Sequence, residues 1–391
     1  MRAAEVRLLA ALAVAFGLAR YLHGLLKMVV ESEFIDFAHY YTYAVVAAKG
    51  LDAFDPAAVA EVDRLLGLRR AAAPGTYPPL FYLLMGPWTL LPFRPAAIVW
   101  LLLGQACLAG TLGLVLHRHR DASWTAIATA LFVAVAYQPL LENVFLGQAN
   151  VVLLFLVALA WWGLRTQHPW VTAAAVAASL HVKPPYALLV GVLWWTGHAR
   201  VARRAALLAL LGLCAGVLAL GPAPHVTYLE FLLGLRASLY SWTSNLSPWA
   251  TLHRVFPDSL ANGLTLVVNL TVVLGLAWAL PRGVEGDSRT MDRAWGLGVV
   301  ALLLLSPMLE EHYLVLLLLP VSLIVLSASD DSLGTGDRVL LVASLVLLAT
   351  PYSLMRFAAF RSGPLALVTS GKLAGVLGLA WLLVRLLRRG A

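Results

Sequence analysis

The sequence predicts an all-α, polytopic integral membrane protein. Apolar stretches long enough to cross a bilayer recur down the chain, charged residues are 12% against 61% hydrophobic, and no run alternates polar and apolar as a half-buried strand does. A helix needs about 20 apolar residues to cross ~30 Å of hydrocarbon, and lipid admits only structures that satisfy their own backbone hydrogen bonds. Cys107 and Cys214 lie inside apolar stretches without CxxC spacing, so neither a disulfide framework nor a zinc site is indicated.

Hydropathy and loop charge place twelve crossings, at roughly 6–29, 96–116, 122–141, 147–164, 170–183, 185–197, 205–221, 259–280, 293–308, 313–327, 339–354 and 365–387. With both termini inside, Arg2, Arg7, Arg118, Arg120, Arg165, Arg200, Arg203, Arg204, Arg282, Arg289, Arg293, Arg338, Arg385, Arg388 and Arg389 all fall on the cytoplasmic side. The net charge of +8 therefore reflects orientation and not nucleic-acid binding. Tyr77 to Leu91 is apolar but short and opens on Pro78-Pro79, so it is expected to lie at the outer interface. Were it to cross, the basic HRHR run at 117–120 would move outside.

Two outer regions remain, 31–95 and 222–258, within a single transmembrane domain spanning 1–391. In the first, Asp55-Pro56 reads as an N-cap and first-turn proline opening a short helix through Leu68. No GxGxxG or Walker A run appears and no 34-residue repeat, which argues against a nucleotide site.

Ionisable and polar residues at membrane depth or at its rim are costly unless paired or used, so each is a candidate site residue. Asp36, in EFIDFAHYY, sits just past the first apolar segment beside Phe37, Tyr40, Tyr41 and Tyr43. Apolar neighbours can raise a carboxyl's pKa enough for general-base work, but the same position suits a helix N-cap. Arg20, His23 and Lys27 share a helix face that would suit an anionic headgroup, or that snorkels. GQAN at 147–150 and HVKPPY at 181–186 fall at outer helix ends and contribute Gln148, Asn150, His181 and Lys183. A lysine before two prolines at a helix break suits a phosphate, and equally a plain helix-end cation. The second outer region offers Asn245, Ser247 and Arg254 with Trp242 and Trp249, and SPMLEEHY at 306–313 sets Glu310, Glu311 and His312 together. The spacing does not supply the two-histidine pattern of a zinc enzyme.

Taken in order, these pieces resemble glycosyltransferase family 87, the polyprenyl-phosphate-mannose-dependent mannosyltransferases within the GT-C superfamily. The segments that carry the resemblance are DFAHYYTYAVVAAKGLDAFD at 36–55, TYPPLFYLL at 76–84, Pro92 to Trp100, GQAN, the lysine-proline of HVKPP, NLSPWATLHR and SPMLEEHY. It implies a GT-C-type fold with interface helices in a long first outer loop and Asp36 as catalytic base. It also implies inversion at the anomeric carbon and a role for His312, the histidine of the SP-x-x-x-x-H stretch. Two departures are Ala149, where valine is common, and the extra charge of Glu310-Glu311.

The expected reaction moves a hexose from a polyprenyl-phosphate sugar donor to a glycan or glycolipid hydroxyl on the outer face of a bacterial plasma membrane. Asp36 would take the hydroxyl proton, and Lys183, Arg254 and Arg20 would face the donor phosphate. Tyr40, Tyr77, Gln148, Asn150, His181, Asn245, Ser247, Glu310 and Glu311 would bind substrate. The expected partners are donor, acceptor and bilayer, with no nucleic acid, cofactor or metal. A lipid or glycan transporter is the rival from another class, but residues 1–200 and 201–391 show no internal similarity. A related oligosaccharide ligase or polymerase would favour a larger basic outer loop, whereas the first loop carries seven acids against five bases.

Overall fold

A computed structural model describes residues 3–68, 77–235, 244–283, 287–327, 333–350 and 357–389. Among them no strand occurs. Trp242 lies outside the described residues.

The helices follow in chain order. The first group is α1 (Ala3–Glu31), α2 (Ile35–Ala48), α3 (Pro56–Leu66), α4 (Pro79–Leu84), α5 (Phe93–Arg118), α6 (Trp124–Ala136), α7 (Gln138–Leu146), α8 (Asn150–Arg165) and α9 (Pro169–Val182). Beyond it lie α10 (Ala187–Trp195), α11 (Ala199–Leu220), α12 (Ala223–Leu235), α13 (Pro248–Val255), α14 (Asp258–Ala279), α15 (Ser288–Leu305), α16 (Leu318–Ser327), α17 (Thr335–Ala349) and α18 (Gly371–Arg389).

Local chemistry sets the short elements between the spans. Asp55 caps α3 by accepting from the Ala57 N–H with Pro56 in the first turn, and Gly67 ends it in the left-handed conformation. Ser247 and Pro248 open α13 in the same way. Between Tyr77 and Leu91 the chain forms only the six-residue α4 and a five-residue 3-10 turn, Gly86–Leu90. At 1.5 Å or 2 Å per residue, neither can cross a bilayer.

Among the described residues, five segments are long and apolar enough to span a membrane: Ala4–Glu31, Phe93–Arg118, Ala199–Leu220, Asp258–Ala279 and Pro364–Arg389. A sixth arises if α6 and α7, bent by 42°, count as one span. This is fewer than the twelve crossings expected from hydropathy. The reason is breakage: apolar sequence is interrupted at Gly147, at Pro184-Pro185 and by the 3-10 segment Glu311–Leu317, leaving pieces of 10–17 residues.

The core is built on α8, α15 and α16. All but one residue of α16 is buried, as is most of α15 from Met291 to Leu304. Around this centre α8 packs on α5 and α9, and α15 on α10, α14, α16 and α18. The arrangement separates two polar clusters. At one end of α8, Asn150 meets the His312 carbonyl; at the other, Arg165 Nε lies 3.2 Å from Asp292 Oδ1. Fifteen residues of helix put about 22 Å between them.

The Arg165–Asp292 pair is buried, with side-chain exposures of 8% and 4%. Trp161 Nε1 donates to Asp292 Oδ1 at 2.7 Å, and His119 Nε2 stands 3.7 Å from Oδ2. Removing one member of such a pair leaves a buried charge without its partner, which costs about 3–5 kcal/mol, whereas replacing both by apolar residues costs far less. Asp292→Ala should therefore lower the thermal unfolding midpoint strongly, and Arg165→Leu/Asp292→Leu less. Equal losses in thermal melts of the detergent-solubilised variants would show that the pair's charge is not what matters.

Candidate active site

The site is assembled where α2 meets the α7–α8 junction. The chain enters α2 through Phe34, whose φ of 45° and ψ of 53° are left-handed, an unfavourable state for a bulky residue. Its surroundings hold it there. Ser32 Oγ accepts from the Phe34 N–H at 2.9 Å and donates to the Phe145 carbonyl at 2.5 Å, while Arg94 donates to the carbonyls of Ser32 and Val29. Phe34 is thus the N-cap of α2. Asp36 is not the cap, and its side chain is turned to other use.

Gly147 makes that use possible. It ends α7 with φ 71°, and a Cβ there would stand 2.8 Å from the Phe37 Cβ. Only glycine admits both the left-handed turn and the close approach to α2. Trp100 Nε1 donates to the Gly147 carbonyl at 2.8 Å and fixes the junction. Gln148 then faces α2 directly. Its Nε2 donates to Asp36 Oδ2 at 2.7 Å, and its Oε1 lies 2.8 Å from the Tyr40 hydroxyl and 3.0 Å from that of Tyr77. The two hydroxyls are 2.7 Å apart. An ionised Asp36 can only accept, so the amide presents nitrogen to it and oxygen to the tyrosines, whose two hydroxyl protons fill two of the three short contacts. Ala149 is buried beside them, its N–H directed at the Tyr40 oxygen at 3.4 Å.

Asp36 is one-fifth exposed. Burial pushes its carboxyl up to about 7, with Glu310 and Glu142 adding to the rise and the Gln148 hydrogen bond and Lys183 opposing it. A carboxylate so poised is half ionised near neutrality, the condition under which a general base works best. His39 Nδ1 is 4.0 Å from Asp36 Oδ1, and burial lowers its pKa, which keeps it neutral.

Lys183 ends α9 just before the proline pair. Its Nζ donates to Asn150 Oδ1 at 2.9 Å and stands over the Tyr313 ring at 3.5 Å and the Tyr77 ring at 5.4 Å. Asn150 Nδ2 reaches the His312 carbonyl at 3.4 Å, tying α8 to the 306–313 segment. There His312 is buried, its Nε2 3.5 Å from Glu310 Oε2, and burial together with Lys183 holds the ring well below its ordinary pKa. Glu310 is raised by burial despite the Ser244 hydroxyl and Lys183. Asp36, Tyr40, Tyr77, Gln148, Asn150, Lys183, Glu310 and His312 are therefore brought together.

Other expected site residues stand differently. Asn245 and Ser247 turn their polar atoms on backbone: Asn245 Nδ2 and Ser247 Oγ donate to the Pro307 carbonyl, and Asn245 Oδ1 accepts from the Leu309 N–H at 3.1 Å. They hold the 306–310 segment in place. Arg254 donates to the Asn245 carbonyl, and its desolvated guanidinium falls to about 10. Glu311 points away from His312 to Lys372, whose Nζ is 3.1 Å from Glu311 Oε1.

Two residues are not brought to the cluster. His181 packs on α11, where a Cβ on Gly212 would meet its Nε2 at 2.1 Å. Arg20 is exposed on α1 and lies eleven residues from that helix's Glu31 end, about 16 Å along the axis.

Sequence reading missed Tyr313, Glu142, His39 and Lys372. His39 was detectable from its i+3 spacing to Asp36, and Lys372 as a lone lysine in an apolar stretch.

An all-helical chain with several spans and an acid, a lysine and a histidine gathered at one end has the makings of a membrane-embedded transferase. The sequence model of glycosyltransferase family 87 matches residues 76–307, more than half of the chain. The chain belongs to that family, and it is a membrane glycosyltransferase. No curated protein and no solved structure matches it.

The Gln148 contact makes a sharp prediction. Its hydrogen bond favours the ionised form of Asp36, so Gln148→Ala should raise the Asp36 pKa further. A hydrogen bond to a charged group is worth about 1.5–3 kcal/mol, or about one to two pH units. Activity that needs ionised Asp36 falls as pH drops through about 7 in the unmodified protein. In the variant this acid limb should move to higher pH. A pH–rate profile with an unmoved limb would dissociate Gln148 from the base.

Proposed function

We propose that the protein transfers a hexose, mannose by family resemblance, from a polyprenyl-phosphate donor to a hydroxyl of a glycan or glycolipid, with inversion and on the outer side of the membrane. The observation that carries this reading is Asp36, raised to about 7 and aimed by Gln148, beside Lys183. A sugar hydroxyl is a poor nucleophile until a base takes its proton, and Asp36 is the base. As the hydroxyl oxygen bonds to the anomeric carbon from the opposite face, the bond to phosphate breaks and the polyprenyl phosphate leaves with the electron pair. Lys183, anchored on Asn150 and over Tyr313, meets the negative charge that builds on that phosphate.

Arg254 supports the phosphate region by holding Asn245 and, through it, the segment that carries Glu310 and His312. Neutral His312 faces Glu310 and is suited to a hydrogen bond with substrate. Arg20 and His181 have no direct part in this arrangement. The lipid tail requires only an apolar groove, and exposed apolar residues line α1, α11 and α14.

Asp36→Asn should lower kcat by about 10²–10⁴, the usual contribution of a positioned base, with donor binding retained. The measurement is transfer from purified polyprenyl-phosphate-mannose in reconstituted membranes. Transfer at the unmodified rate would remove Asp36 from the mechanism. Lys183→Ala should raise the donor KM by about 10–100-fold, the loss of one charge-assisted contact of about 1.5–3 kcal/mol, with the fold intact. An unchanged donor KM would reassign Lys183 to structure.

A further inference from the structure

Lys183 cannot satisfy a phosphate by itself. An ammonium carries three N–H donors. One goes to Asn150 Oδ1, and the face of the Tyr313 ring, 3.5 Å from the nitrogen, takes up a second direction. At most one donor remains for a ligand. The oxygens of a lipid-linked phosphate accept several hydrogen bonds, and they need more as the bond to the sugar breaks and the phosphate gains charge. Asp36 and Glu310, when ionised, are acceptors and cannot supply them.

Two tyrosines beside the lysine hold donors in reserve. The hydroxyls of Tyr186 and Tyr228 are buried and make no hydrogen bond among the described residues, and the two residues are only 3% and 8% exposed. Tyr186 closes the 3-10 turn Pro184–Tyr186 that follows Lys183, its N–H donating to the Lys183 carbonyl at 3.1 Å. Tyr228 stands on α12, its ring 5.7 Å from that of Phe54, which lies 6.1 Å from the Tyr82 ring. Tyr82 borders the site, since its hydroxyl accepts from the Tyr77 N–H at 3.3 Å. Both phenols converge on Tyr313. Burial holds the Tyr313 pKa well above its ordinary value, and Glu310, Asp36, Tyr186 and Tyr228 lie near enough to add to the rise. A buried hydroxyl without a partner is costly, and phenylalanine would fill either position without that cost. Burial also raises the pKa of Tyr186 and Tyr228, so both keep their protons near neutrality and can donate.

We propose that Tyr186 and Tyr228 bind the donor phosphate together with Lys183, supplying as neutral donors the hydrogen bonds that the lysine lacks. The inference rests on the donor being a lipid-linked phosphate sugar. As the bond between the anomeric carbon and the phosphate oxygen breaks, its electron pair passes to the phosphate. The two phenols keep their protons, and their hydrogen bonds to the phosphate strengthen as its charge grows. Neutral donors suit this place better than a second cation, because further positive charge would lower the Asp36 pKa.

The test measures binding of a short-chain polyprenyl phosphate, the leaving group of the proposed reaction, to full-length protein in lipid nanodiscs. Tyr186→Phe and Tyr228→Phe should each raise its Kd by about tenfold, the loss of roughly 1.4 kcal/mol. Without ligand, the thermal midpoint of both variants should stay unchanged or rise, because each loses a buried hydroxyl that has no partner. A hydroxyl that served the fold would lower it instead. An unchanged Kd in both variants, or a lowered midpoint in both, overturns the assignment while leaving the donor class standing. Failure of polyprenyl phosphate to bind the unmodified protein overturns the lipid-phosphate donor itself, and the phenol assignment with it.

Discussion

Everything at the site depends on one side-chain amide. Gln148 spans the gap between α2 and α8, donating to Asp36 and accepting from the tyrosine pair. A carboxylate as buried as Asp36 would otherwise be driven further toward its neutral form by desolvation. The amide keeps it ionisable without adding charge, and it sets which carboxylate oxygen is committed. A lysine in that place would bind Asp36 more strongly and lower its pKa too far for a base near neutrality.

The cost of that geometry appears in the backbone. Phe34 occupies a left-handed conformation worth about 1–3 kcal/mol of strain, and the turn at Gly147 admits no side chain. Both lie on the two strands of chain that meet at Asp36. Ser32, Arg94 and Trp100 hold these segments through backbone carbonyls. The strain is therefore local to the site and held there by groups with no chemistry of their own, which is what a preorganised base requires.

Much of this was legible in the sequence, and the limits have physical causes. Asp36, Lys183 and His312 stood out because an ionisable group in an apolar chain is costly and so conspicuous. The helical class followed from composition alone. The crossing count is less legible: among the described residues five or six segments are long enough to span, and hydropathy cannot tell a full span from two short pieces meeting at Pro184-Pro185 or Gly147. Asn245 and Ser247 looked like ligand contacts because polar residues in a loop carry no label for whether they face substrate or backbone. Arg20 shared a face with Lys27, but periodicity says nothing of distance along the helix. Glu311 and Lys372, 61 residues apart, meet only through the fold.

Charge balance around Lys183 explains why a weak acid suits this site. One lysine sits among Asp36, Glu310 and Glu142, so a fully ionised cluster would repel a phosphate-linked donor. With Asp36 near 7 and Glu310 raised, the acids are only partly ionised; burial also pushes Lys183 down to about 7, and an arriving anion favours its charged form. A bound phosphate is itself a negative charge, and it raises the Asp36 pKa further, which makes the ionised carboxylate a stronger base while lowering the fraction ionised near neutrality. In the proposed reaction the proton taken from the acceptor neutralises Asp36 as negative charge moves to the leaving phosphate. The acid that activates the nucleophile thus stops opposing the leaving group at the step where that opposition would cost most.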